Sequence, residues 1–111
     1  MKIIKKSRTQ IDRQPAHDGE GIKKVFVGDG EVENFEAFTL SCLEPGKKFS
    51  WHKHERATEM FFVLKGSGKI LEDDGEQSFQ PNDFFIIPKC VLHEIINTGE
   101  EKMEAIFVRV N

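Results

Sequence analysis

The chain has 111 residues and a formal net charge of -3, which leaves room for one domain with one modest core. Its basic residues are scattered among glutamates and aspartates rather than gathered on one face, which argues against nucleic acid as a partner. With 38% hydrophobic residues, 10 Phe, 1 Trp and no Tyr, it carries enough apolar side chain for a packed interior, so disorder is excluded.

The opening stretch Met1-Lys2-Ile3-Ile4-Lys5-Lys6-Ser7-Arg8 begins with charge, and no apolar run follows. A secretory signal needs about 7–15 apolar residues, and a membrane span about 18. The expected address is the cytoplasm, with no membrane partner, and Cys42 and Cys90 read as free thiols there. Residues 1–22 are polar and broken by Pro15, Gly19 and Gly21; they read as an arm with at most one short strand. His17 lies in this arm without partner spacing and reads as a surface residue. The expected organisation is an arm with the first short strand or strands over residues 1–33, part of the barrel or of a dimer contact, and a barrel over 34–111.

From there, turn residues recur about every ten positions, which favours many short strands. A strand over 23–27 ends at Gly28-Asp29-Gly30. The next, over 34–43, sets Phe38, Leu40 and Cys42 on one face and Thr39 and Ser41 on the other, and stops at Glu44-Pro45-Gly46, a turn signal. Strands over 48–54 and 59–65 follow, the second closing at Gly66-Ser67-Gly68. Segments 69–72 and 76–79 flank Asp73-Asp74-Gly75, a hairpin signal. Strands over 84–87, 93–96 and 102–110 complete the chain. In the last, Met103-Ala105-Phe107 and Ile106-Val108-Val110 are both apolar, so alternation does not choose its inner face. No helix is long enough for a parallel crossover, so the fold class is all-β with antiparallel pairing. A single barrel or a two-sheet jelly roll hides the edges of so many short strands.

Strand geometry then gathers a set of side chains. Residues two apart on a strand share a face, so His52 and His54 point the same way while Lys53 faces solvent. Residues 55–58 are polar and turn-like, and antiparallel return brings Glu59 beside the two imidazoles. Phe61 and Val63 share the face of Glu59, which marks it as inward; Ile95 does the same for His93. Burying three imidazoles and a carboxylate together is costly without a cation, so the four read as metal ligands. Mn, Fe, Co, Ni, Cu or Zn all accept imidazole, and the carboxylate suits the earlier ions; Mn, Fe, Ni and Zn are the leading candidates.

At these residues the chain resembles the cupin superfamily. The first cupin motif, G-x5-H-x-H-x4-E-x6-G, is matched by Gly46, His52, His54, Glu59 and Gly66. The second, G-x5-P-x-G-x2-H-x3-N, is matched by Pro88, His93 and Asn97, with Asn82 and Cys90 in place of its glycines. The resemblance implies a six-stranded core barrel elaborated into a jelly roll, with metal held by His52, His54, Glu59 and His93. Asn82 replaces glycine at little cost, since Asn tolerates the left-handed region. Cys90 would be strained there by about 1–2 kcal/mol, so a changed local turn is expected.

An octahedral ion with four protein ligands keeps two positions for water, substrate or dioxygen, whereas tetrahedral zinc would be saturated and structural. Phe49, Trp51, Phe61 and Cys90, with Phe84 or Phe85, are the candidate pocket wall. The expected function is metal-dependent binding of a small oxygenated molecule, with dioxygenase-type oxidation as the reaction and Glu59 as a possible proton acceptor. The alternatives are a sugar isomerase or lyase, or a binder of a sugar or small organic acid without turnover. A homodimer is the expected assembly, since small cupins commonly form one.

Overall fold

A computed structural model describes residues 2–111. After a short 3-10 turn at Arg8–Gln10 come ten strands: β1 (Gln14–Ala16), β2 (Gly21–Val27), β3 (Phe35–Leu43), β4 (Lys48–His52), β5 (Thr58–Lys65), β6 (Gly68–Glu72), β7 (Gly75–Phe79), β8 (Phe84–Ile87), β9 (His93–Asn97) and β10 (Met103–Val110). They form a six-stranded sheet, β1-β2-β3-β10-β5-β8, and a four-stranded sheet, β4-β9-β6-β7. Every pairing is antiparallel. The expected β shell is therefore a jelly roll of two facing sheets, not one ladder closed into a ring. No helix among the described residues is long and apolar enough to cross a membrane.

The segment read as an arm supplies β1 and β2 at the edge of the larger sheet. Its hairpin closes against the core through Gly21, where a Cβ would meet the Phe49 ring at 2.7 Å and the Cys42 carbonyl at 2.6 Å. Glycine is required there by space. Arg8 reaches down to Glu104 at 3.1 Å, and Lys65 reaches the same carboxylate at 3.3 Å, so the arm is clipped to β10 by a shared acid.

Strand alternation directs the core. On β5, Phe61 and Val63 are buried beside Glu59, as the sequence pattern requires. On β10 the ambiguity resolves with Met103, Ala105 and Phe107 inward. Phe107, Phe61 and Phe85 occupy matched positions on β10, β5 and β8, and their rings stack at 5.0 and 4.8 Å, with Phe79 edge-on to Phe61. Stacked aromatic pairs add about 0.5–1.5 kcal/mol beyond burial. This row forms the floor between the sheets.

Two turns hold the ends of the site strands. Asn97 is fully buried; its amide nitrogen donates to the Leu43 and Glu101 carbonyls at 2.8 and 2.9 Å, and its oxygen accepts from the Gly99 amide. Cys90 adopts φ 66°, so the turn before β9 keeps its left-handed residue despite the lost glycine. That corrects the expectation of a changed turn: the Cys90 amide donates to the His54 carbonyl at 2.9 Å, which holds the backbone in place. Asn82 sits at φ 79°, the conformation its side chain tolerates.

Candidate metal centre

The four candidate ligands come from both sheets. His52 on β4 and His93 on β9 are paired across the smaller sheet, and Glu59 projects from β5 on the larger one. β4 ends at His52, two residues short of its expected end, so His54 reaches the site from the following loop. One ligand atom from each of the four lies within 4.8 Å of all the others. The His54 and His93 Nε2 atoms stand 3.4 and 3.5 Å from the two oxygens of Glu59. At those lengths they are electrostatic contacts and not formed hydrogen bonds.

The rings are aimed by their other nitrogens. His52 Nδ1 bonds the Ser50 carbonyl at 2.6 Å, and His93 Nδ1 bonds the Val91 carbonyl at 2.9 Å. A carbonyl only accepts, so both Nδ1 atoms carry the proton and leave Nε2 as the free lone pair. His54 Nε2, His93 Nε2 and Glu59 Oε1 are buried without a hydrogen-bond partner. Three orphaned polar atoms around one point are expensive, and a cation would satisfy all of them. The donor set is able to hold a divalent metal ion.

The protonation of His52 and Glu59 suits a cation, whereas His93 holds a proton that a cation has to displace. Burial, reinforced by the neighbouring His93, pushes His52 down to about 4, which keeps it neutral at physiological pH. Burial pushes the Glu59 carboxyl up, but His54 and His93 outweigh it and hold it near 2. Burial alone would lower His93; the Glu59 carboxylate and the Val91 carbonyl raise it instead.

A cavity of about 80 Å³ opens beside these residues, bounded by Ala16, Phe49, Ile95 and Phe107 on its apolar side. The profile of the cupin domain family matches residues 39–109, the span that carries all four candidate ligands. The chain belongs to the cupin family. A curated relative, an oxalate-binding protein of Thermotoga maritima, is 25% identical over 95% of this cupin and 97% of its own length. A protein of Methanocaldococcus jannaschii is 26% identical over 89% of this cupin and 79% of its own. Among solved structures, a predicted oxalate decarboxylase from Thermotoga maritima superposes with a TM-score of 0.82 at 22% identity, covering 94% of this cupin and 96% of that chain. A sugar phosphate isomerase of the superfamily from Silicibacter pomeroyi gives 0.82 at 21% identity, covering 97% and 76%.

Of the candidate pocket wall of this cupin, only Phe49 lines the cavity. Phe61 lies behind it in the aromatic stack. Trp51 is 43% exposed and Cys90 also faces outward. For Trp51 the cause is a register irregularity between Phe49 and His52: both must face inward although they are an odd number apart, so Trp51 is turned out. Phe85 joins the core, whereas Phe84 is 54% exposed.

His17 is the main correction. Its ring lies 4.2 Å from His52 and it lines the cavity. Its Nδ1 bonds Glu20, which also accepts from the Ser50 hydroxyl and, at 2.9 Å, from the Ser50 amide. Burial opposes ionisation of Glu20, but Ser50 and His17 hold its carboxyl near 2. The Asp18-Gly19 turn beside His17 marks the hairpin that carries it over the cavity, and is the one sequence signal that points there. Lys23, Thr39, Ser41 and Arg109 also line the cavity and were not among the expected site residues.

Proposed function

We propose that this cupin holds one divalent transition metal through His52, His54, Glu59 and His93 and uses it to bind a small oxygenated substrate, with dioxygenase-type oxidation as the reaction. The observation that carries the reading is the set of three buried, partnerless ligand atoms converging from two sheets. When bound, Mn, Fe, Ni or Zn would polarise a chelating oxygen, and a redox-active ion would support reaction with dioxygen. His52 and His93 are oriented through hydrogen bonds from Nδ1 to the Ser50 and Val91 carbonyls, and His54 is oriented toward the Glu59 carboxylate. Glu59, ionised and gripped by His54 and His93, serves as a ligand first and as a proton acceptor second. Phe49, Phe107 and Ile95 exclude water from one side of the cavity.

A second reading is binding of a small organic acid without turnover. The relative of matching length that is named an oxalate-binding protein favours it. Elemental analysis of protein purified without chelators tests the metal, and oxygen uptake over a panel of small diols, keto acids and sugars tests the reaction. Oxygen consumption supports the enzyme; tight binding without product under any metal supports the binder.

The reading extends to assembly and address. The outer face of the larger sheet carries two unbroken apolar rows, Phe84–Phe62–Ile106–Leu40 and Ile86–Met60–Val108–Phe38. They end at the open edge strand β8, where Phe84 and Ile86 are 54% and 62% exposed. Such an edge invites pairing, and a second copy offers the same rows in return, which favours a homodimer. The free thiols of Cys42 and Cys90 suit the reducing cytoplasm.

A further inference from the structure

The inner face of the larger sheet is polar where a barrel wall is ordinarily apolar. Thr39 and Ser41 are each 5% exposed, and their hydroxyls bond each other at 3.1 Å. One shared bond leaves one hydroxyl proton free to donate into the cavity. Lys23 stands directly opposite Ser41 on β2 and also lines the cavity. Among the described residues no carboxylate lies within 4.0 Å of its ammonium group.

Arg109 completes the row. It pairs in register with Glu59 across β10 and β5, yet its guanidinium stays 3.8 Å from Glu59 and 3.7 Å from Glu36, beyond hydrogen-bond range. Its Nε is buried with no partner. The cavity lining therefore holds two cations with unfilled donor capacity, two hydroxyls, and a single carboxylate that belongs to the ligand cluster. Adding a divalent ion would make this space more positive still. Neutral sugars would gain little from such a lining, whereas an anion gains charge-assisted hydrogen bonds. The volume, about 80 Å³, is well under the roughly 300 Å³ of pockets for drug-sized ligands, so the anion is small.

We propose that Lys23, Thr39, Ser41 and Arg109 form a carboxylate subsite beside the metal centre, so that the cavity takes a small dicarboxylic acid with one carboxylate toward the His/Glu cluster and the other on the sheet floor. The proposal rests on the metal reading above. It assigns Lys23 the main charge contact, because Arg109 is shared with Glu59 and Glu36, and it assigns the hydroxyl pair the task of orienting the bound oxygen.

The test compares succinate with its monomethyl ester, which keeps one carboxylate and loses the second charge. Affinities are measured by amide-shift titration and calorimetry on zinc-loaded wild type, Lys23→Met and Thr39→Val, with zinc content determined separately for each. The wild type is expected to prefer succinate by at least about tenfold, the scale of one charge-assisted hydrogen bond. Lys23→Met should bring the two ligands to within about twofold, and Thr39→Val should reduce the preference partly, with zinc content unchanged in both. Equal binding of acid and ester by the wild type, or a preference that survives Lys23→Met, overturns the subsite. Failure of zinc to load overturns the metal reading instead, and the acid-to-ester preference of the metal-free protein then decides the subsite.

Discussion

His93 Nε2 lies 3.5 Å from Glu59 Oε1, although the two residues belong to different sheets, β9 and β5. The contact joins the two layers at one point, and His54 meets the other oxygen of the same carboxylate. The centre is thus a place where the sheets meet through polar atoms, and its disruption can be separated from disruption of the core, which lies among Phe61, Phe79, Phe85 and Phe107.

Replacing His52 and His54 together by Ala should therefore remove tight metal binding and leave the jelly roll folded. Elemental analysis should fall from one ion per chain to background, while the far-ultraviolet spectrum keeps its β signature. Unchanged metal content would refute the ligand assignment.

Metal loading should weaken as pH falls from about 8 to about 5. The sign follows from the three shifts. Glu59, held near 2, stays ionised throughout, and His52, pushed down to about 4, stays neutral. His93 is raised above its ordinary value, against its burial, by Glu59, so it keeps a proton to higher pH and that proton competes with the ion. Occupancy measured by equilibrium dialysis across this range checks it; a flat profile contradicts it.

Asn97→Ala should destabilise the fold by about 3 kcal/mol, since it removes three hydrogen bonds of a fully buried side chain, strands the buried Leu43 carbonyl and frees the part-buried Glu101 carbonyl and Gly99 amide. Urea unfolding measures the loss. Metal stoichiometry of the folded fraction should be unchanged, because Asn97 touches no candidate ligand.

Cys90→Gly should stabilise by about 0.5–1 kcal/mol. The left-handed φ of 66° costs a side-chain-bearing residue about 1–2 kcal/mol, and the looser unfolded chain of glycine takes back part of that gain. Cys90→Val, with a branched Cβ at the same φ, should destabilise. Equal urea midpoints for the wild type and both variants would contradict the strained-turn account.

On the proposed homodimer, Ile86→Lys should leave a monomer, because it places a charge at the exposed end of an outer apolar row on the edge strand. Light scattering over a range of concentrations reads the change. A wild type that stays monomeric at high concentration would remove the basis for the homodimer.

The four candidate ligands that the structure brings together and the strands from β2 onward, to within two residues at each end, could be read along the chain, because both depend on local features. Period-two alternation, the turn at Glu44-Pro45-Gly46, and the spacing from Gly46 through His52, His54 and Glu59 are properties of neighbouring residues. What the tertiary structure alone decided involves partners distant in sequence. β10 carries apolar residues on both faces, so only its pairing between β3 and β5 shows that Met103, Ala105, Phe107 and Arg109 face the interior. The register break in β4 turned Trp51 outward, and no composition rule marks a bulge. His17 entered the cavity because the β1–β2 hairpin folds back over β4, and Lys23, Thr39 and Ser41 became one surface because β2 and β3 pair in that register. Chemistry at a single residue type is written locally, but a pocket is a set of distances between strands, and those exist only once the sheets have packed.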